Sequence, residues 1–173
     1  SLTQFEIPST VTSIGSNAFY LCSSLIQITT PSSVTSIGDH IFFGCSSLEK
    51  VTISSQITSI SANAFSGCCS LKTVTIPSSV TSIEKGAFNK CLSLEEIKIP
   101  SSVTEIGVGA FNGCSSLKQI IIPPSVSSLG TNTFSGCSSL TRLSIPSSIK
   151  TFFIGINKAV IVKETGRIRK KTI

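Results

Sequence analysis

Six of the seven cysteines recur at a fixed step of 23 residues: Cys22, Cys45, Cys68, Cys91, Cys114 and Cys137. A thiolate can ligate a soft metal, close a disulfide or attack an electrophile, so this column is the first place to look for chemistry. A metal needs ligands that converge on one point, and thiols repeated along a line do not converge. An odd count of seven limits disulfide pairing. Cysteine also behaves as a small apolar residue that is commonly interior. The column therefore reads as core packing, with Cys69, out of phase with the rest, as the accessible thiol.

Residues suited to acid–base work are scarce: one histidine (His40), one aspartate (Asp39) and one tyrosine (Tyr20). Adjacent residues of an extended stretch point opposite ways, so Asp39 is poorly placed to orient His40 for a nucleophile. The pair stands where Ser16-Asn17 stands one unit earlier and reads as a solvated turn. No glycine-rich phosphate loop with its lysine is present. Enzymatic activity is disfavoured, and no metal, cofactor or small-molecule substrate is expected.

The elements that carry these residues follow from the same period. Phe19, Phe42, Phe65, Phe88, Phe111 and Phe134 form a second column, and Leu25, Leu48, Leu71, Leu94, Leu117 and Leu140 a third. Val11, Val34, Ile57, Val80, Val103, Val126 and Ile149 form another, in step with Ile14, Ile37, Ile60, Ile83, Ile106, Leu129 and Phe152. Within the unit beginning at Leu94, eight positions look inward: Leu94, Ile97, Ile99, Val103, Ile106, Ala110, Phe111 and Cys114. Leu-x-x-Ile-x-Ile alternates and is β-branched, which predicts a short strand. Pro100, lacking an N–H, ends it, and Pro-Ser-Ser turns the chain. Gly107, Ala110 and Gly113 suit a second, tighter corner. Strands related by one full period lie parallel, about 4.8 Å apart, and a long helix has no room. The expected fold is a right-handed parallel β solenoid with short turns and little helix, stabilised only by stacking of its units.

This frame spans residues 1–149, in which seven Lys/Arg balance seven Asp/Glu; the whole net charge of +6 falls in residues 150–173. That basic segment departs from the repeat. Lys158–Lys163, then Glu-Thr-Gly, then Arg167–Lys170 reads as strand, turn, strand: a hairpin capping the last coil. Arg167, Arg169, Lys170 and Lys171 alternatively form a nuclear-import or anionic-surface patch.

The unit L-x-x-I-x-I-P-S-S-V-T-S-I-G-x-x-A-F-x-G-C-S-S resembles the 23-residue leucine-rich repeat of the BspA-like family. Thr30 for an inward Ile, Ser54 for the proline, Ile41 for Ala and Leu129 for Ile depart from it without breaking the core pattern. The resemblance implies a solenoid used for binding, often on the surface of microbes and parasites. It does not name the partner.

Recognition is expected on outward strand positions, where packing does not dictate residue identity. The most distinctive are Glu96, Lys98, Gln119, Ile121 and Arg142: an exposed Ile beside Arg and a Lys/Glu pair. Lys150-Thr151-Phe152-Phe153 is similar to the basic-x-x-Phe docking peptide of type-1 protein phosphatase regulators, with Thr151 in place of Val or Ile, and implies a phosphatase partner. Phe152 is in phase with a core column, which argues against its accessibility. The edge at Leu2–Ile7 has no polar cap before it and is a liability for weak self-association.

No run of about 18 apolar residues is present, and no secretory signal is visible. With no Met, Ser1 is not a translation start, so upstream sequence is expected. None of the six asparagines lies in an N-x-S/T sequon, and the thiols read as unpaired. Both favour a reducing interior, cytoplasmic or nuclear; an upstream signal would place the chain at the cell surface as an adhesin instead.

Overall fold

The computed structural model describes residues 3–149, together with the strands Ala159–Glu164 and Arg167–Thr172. Each 23-residue unit makes one coil with three sides. The Leu-x-x-Ile-x-Ile segments form the first wall: β1 (Gln4–Glu6), β3 (Gln27–Thr29), β5 (Lys50–Thr52), β7 (Thr73–Thr75), β9 (Glu96–Lys98), β11 (Gln119–Ile121) and β13 (Arg142–Ser144). The Val-Thr-Ser-Ile segments form two-residue strands on a second wall: β2 (Ser13–Ile14), β4 (Ser36–Ile37), β6 (Ser59–Ile60), β8 (Ser82–Ile83), β10 (Glu105–Ile106) and β12 (Ser128–Leu129). Pairing is parallel and in register by one unit, as in Gln4↔Gln27, Gln27↔Lys50 and Gln119↔Arg142, with the ladder interrupted between β5 and β7 and between β4 and β6. The third side is built of turns, yet it too is laddered: the N–H groups of Phe65, Gly67 and Phe88 donate to the carbonyls of Ala87, Asn89 and Ala110, each at 2.8 Å. No helix occurs among the described residues.

The corners follow from backbone chemistry. At the proline corner the Val103 N–H donates to Pro100 O (3.1 Å), closing a β-turn, and Ser102 Oγ donates across to Val80 O of the preceding coil (2.6 Å). The tighter corner needs left-handed backbone at two places per coil. One is filled by Asn17, His40, Asn63, Gly86, Gly109 and Asn132; the other by Leu21, Gly44, Gly67, Lys90, Gly113 and Gly136. Gly and Asn are the residues that enter this region most readily. Gly113 is thus a left-handed corner residue, at φ 74°. Gly107 has a different reason: a Cβ there would stand 2.5 Å from Lys85 N on the neighbouring coil.

The inward rows form a single core. All eight inward positions of the Leu94 unit are 6% exposed or less, and Leu94, Val103, Ala110, Phe111 and Cys114 are fully buried. The Phe rings stack along the axis with centroids 5.3–6.0 Å apart and near-parallel planes from Phe42 to Phe134. At the leading edge β1 pairs only with β3 among the described residues, and Phe5 stays 44% exposed.

Two departures from the repeat prove to be one feature. Thr30 is buried where other units place Ile; its Oγ1 donates to Thr52 O (3.1 Å) and accepts from the Ser54 N–H (2.6 Å). That N–H exists only because position 54 is not proline. Thr30→Ile alone strands a buried N–H, and Ser54→Pro alone removes a donor from a buried hydroxyl, each costing about 1–3 kcal/mol. The double substitution restores the repeat consensus and is expected to cost clearly less than the sum, as a double-mutant cycle by urea denaturation will measure.

Downstream of β13 the repeat gives way to a hairpin, β14 (Ala159–Glu164) and β15 (Arg167–Thr172). β14 pairs parallel with β13, placing Ile161 opposite Arg142 and Lys163 opposite Ser144, and β15 returns antiparallel. The hairpin expected from the sequence thus extends the first wall as its last two strands. Lys150, Thr151, Phe152 and Phe153 lie outside the described residues.

Candidate interaction face

Outward positions alternate with buried ones along the first wall. On β9, β11 and β13, Glu96, Lys98, Gln119, Ile121 and Arg142 are all exposed, while Ile97, Ile120 and Leu143 between them are buried. Glu96, Gln119 and Arg142 form one row across the three strands. Ile121 is 68% exposed, the most of any large apolar residue described. A shallow groove runs over Glu96, Lys98, Gln119 and Ile121 to Pro123. At its flank Lys118 Nζ meets Glu95 Oε2 at 2.7 Å. The hydrogen bond from Lys118, and then its charge, hold the Glu95 carboxyl below its ordinary range. This cross-coil pair was readable in principle, since the two residues stand one period apart. The structure therefore brings the five sequence-selected residues together on one continuous surface. Arg167, Arg169, Lys170 and Lys171 lie on β15, at the far end of the same sheet.

The other candidate chemistry is absorbed by the fold. Five of the six column thiols donate to a phenylalanine carbonyl of the preceding coil: Cys45 to Phe19, Cys68 to Phe42, Cys91 to Phe65, Cys114 to Phe88 and Cys137 to Phe111, at 3.1–3.2 Å. All seven cysteines are free thiols. Burial pushes Cys45 and Cys137 up to about 12 and raises Cys68, Cys91 and Cys114 as well. Such thiols are poor nucleophiles and poor ligands. Cys69 is half-buried rather than open, its Sγ 3.8 Å from Lys90 O.

Asp39 and His40 act separately. Asp39 Oδ1 accepts from the Ala62 N–H (3.2 Å), and His40 Nε2 accepts from the Asn63 side-chain amide (3.2 Å). The turn expected to be solvated is partly covered: His40 is half-buried, left-handed at φ 56°, with its ring 5.6 Å from that of Phe43. Histidine, like asparagine, is enriched in that backbone region, which accounts for its place in the corner column. The sequence reading missed the stack of Tyr20 on Phe43, with centroids 5.1 Å apart and planes 8° apart. Their separation by one period is the signal that would have found it.

Parallel strands stacked by a constant period, a phenylalanine spine and a solvent-facing strand wall define a leucine-rich-repeat solenoid. The chain belongs to the BspA type of leucine-rich repeat, whose six-copy family model matches residues 1–108 and 81–156. No curated protein matches the chain. Among solved structures it is similar to a leucine-rich repeat protein from Bacteroides ovatus, at 29% identity and a TM-score of 0.71, covering 94% of this chain and 55% of that one. A leucine rich cell surface protein from Faecalibacterium prausnitzii is 36% identical, with a TM-score of 0.62 over 82% of this chain and 31% of the other. One from Eubacterium ventriosum is 27% identical, with a TM-score of 0.76 over 88% of this chain and 47% of the other. The chain spans about half, or less, of the length of these proteins.

Proposed function

We propose that the chain is a non-enzymatic binding module displayed at a cell surface, and that it holds a protein partner against the outward wall of β9, β11 and β13. The observation that carries this reading is Ile121, two-thirds exposed beside an ion-bearing row on strands whose alternate residues form a closed core. An exposed apolar side chain rimmed by Arg, Lys and Glu matches an apolar interface centre with a polar rim. Display at the surface is supported by the Faecalibacterium relative, itself a cell surface protein. Free thiols do not require a reducing interior here, because five of the seven are buried and hydrogen-bonded within the core. Neither the fold nor the relatives lend support to phosphatase docking through Lys150–Phe153.

The test substitutes Lys98, Ile121 and Arg142 together with alanine. Immobilised chain is exposed to extracts of host cell surfaces and matrix, and captured proteins are identified by mass spectrometry. Capture is expected to fall at least tenfold in the variant, as hot-spot truncation does. The melting temperature should hold, since exposed substitutions change stability by about 0.5 kcal/mol or less. Undiminished capture would exclude this face.

A further inference from the structure

The first wall ends on β15, whose only neighbour among the described residues is β14. β15 is six residues long, against three for each repeat strand of that wall. It reads Arg-Ile-Arg-Lys-Lys-Thr, with Arg167, Arg169, Lys170 and Lys171 at four of its six positions. A long edge offers a row of backbone N–H and C=O groups to another strand, and lysine is the residue natural edges use against indiscriminate pairing. The charge decides which strand is admitted. Two copies meeting through β15 would bring eight cations together. An anionic bilayer could neutralise the charge, but it presents no backbone ladder to pair with the edge in register. An acidic extended segment answers both requirements.

We propose that β15 is a β-augmentation site: an extended polypeptide segment with acidic residues at alternate positions adds beside it as a further strand, its Asp or Glu residues on the strand face that Arg167, Arg169 and Lys171 share. Main-chain hydrogen bonds supply affinity and charge supplies selectivity. The site is separate from the outward face and does not rest on its assignment.

The probe is a fluorescent seven-residue peptide alternating Glu and Val, titrated into the full chain by anisotropy, with hydrogen exchange read at residues 167–172. Saturable binding is expected, weakened by salt, with added protection of the β15 amides. Binding should fall at least tenfold with R169E/K171E and partway with R169Q/K171Q, which keeps long side chains and spares the hairpin a charge reversal. The K98A/I121A/R142A chain should bind the peptide as well as the parent does; loss of binding there would move the site to the outward face and overturn the assignment. No binding, or unchanged binding by R169Q/K171Q, also overturns it. So does equal binding of oligoglutamate or of the lysine–valine counterpart, which would show charge alone or no selectivity. Vesicles rich in phosphatidylserine that bind the chain while the peptide does not would make the edge a membrane contact instead.

Discussion

Phe88→Ala is expected to destabilise the chain by about 3–5 kcal/mol, the usual range for deleting a buried aromatic side chain. Phe88 is fully buried and lies between two rings, 5.3 Å from Phe65 and 5.5 Å from Phe111, with planes within 7° of parallel. Its removal opens a cavity and breaks two stacks, each worth about 0.5–1.5 kcal/mol beyond area burial. Position adds a second signature. In a solenoid each coil touches only its neighbours, so cooperativity passes through every interface in turn. A void at a central coil uncouples the coils on either side, and the urea transition is expected to broaden or split. Phe19→Ala, at the 8% exposed end of the column, should cost less and leave a single transition. Circular dichroism during urea titration measures both. A midpoint for Phe88→Ala equal to the parent's would place the phenylalanine column outside the core and remove the basis of the fold assignment.

The second large effect is alkaline unfolding. The thiols of Cys45, Cys68, Cys91 and Cys114 are fully buried and that of Cys137 nearly so. Burial raises all five, Cys45 and Cys137 to about 12. An unfolded thiol titrates near pH 8.5. Below that pH both states keep the proton, and the thiols make stability no steeper with pH. Above it the unfolded chain releases protons that the folded chain retains, so the folded state binds more protons and stability falls as pH rises. Each thiol contributes a slope of about 1.4 kcal/mol per pH unit, and five together reach about 7 kcal/mol per unit. The chain should therefore hold its urea midpoint from pH 6 to 8 and unfold sharply between about pH 9 and 11. Cys91→Ala should soften that slope by about a fifth. A midpoint unchanged at pH 11 would mean that the thiols titrate freely in the native state and that the column faces water.

The architecture was legible in the sequence because one period equals one coil. When Phe, Leu, Cys and Val each recur every 23 residues, in-register stacking is the one arrangement that buries all columns at once. The same logic separated inward from outward residues, since a strand alternates faces. It also located Glu96, Lys98, Gln119, Ile121 and Arg142 on the exposed wall, though not what they bind. Left-handed corners were partly legible: Asn, His and Gly in one column betray φ above zero, but Leu21 and Lys90 in the other give no such sign.

What the sequence determined by itself is the repeat, the identity of the core columns and the outward strand face, because hydrophobic periodicity is a local property that stacking merely repeats. What only the tertiary structure decided is how polar groups are satisfied between coils. Cysteine thiols donate to phenylalanine carbonyls of the preceding coil, Thr30 depends on the N–H that Ser54 retains, and Asp39 and His40 turn to separate partners. The hairpin's register is of the same kind: Ile161 sits opposite Arg142, four residues short of the repeat period. Hydrogen bonds are directional and short, so a shift of one residue or one corner reassigns every partner. The period says which residues stand on neighbouring coils, but not which atoms pair.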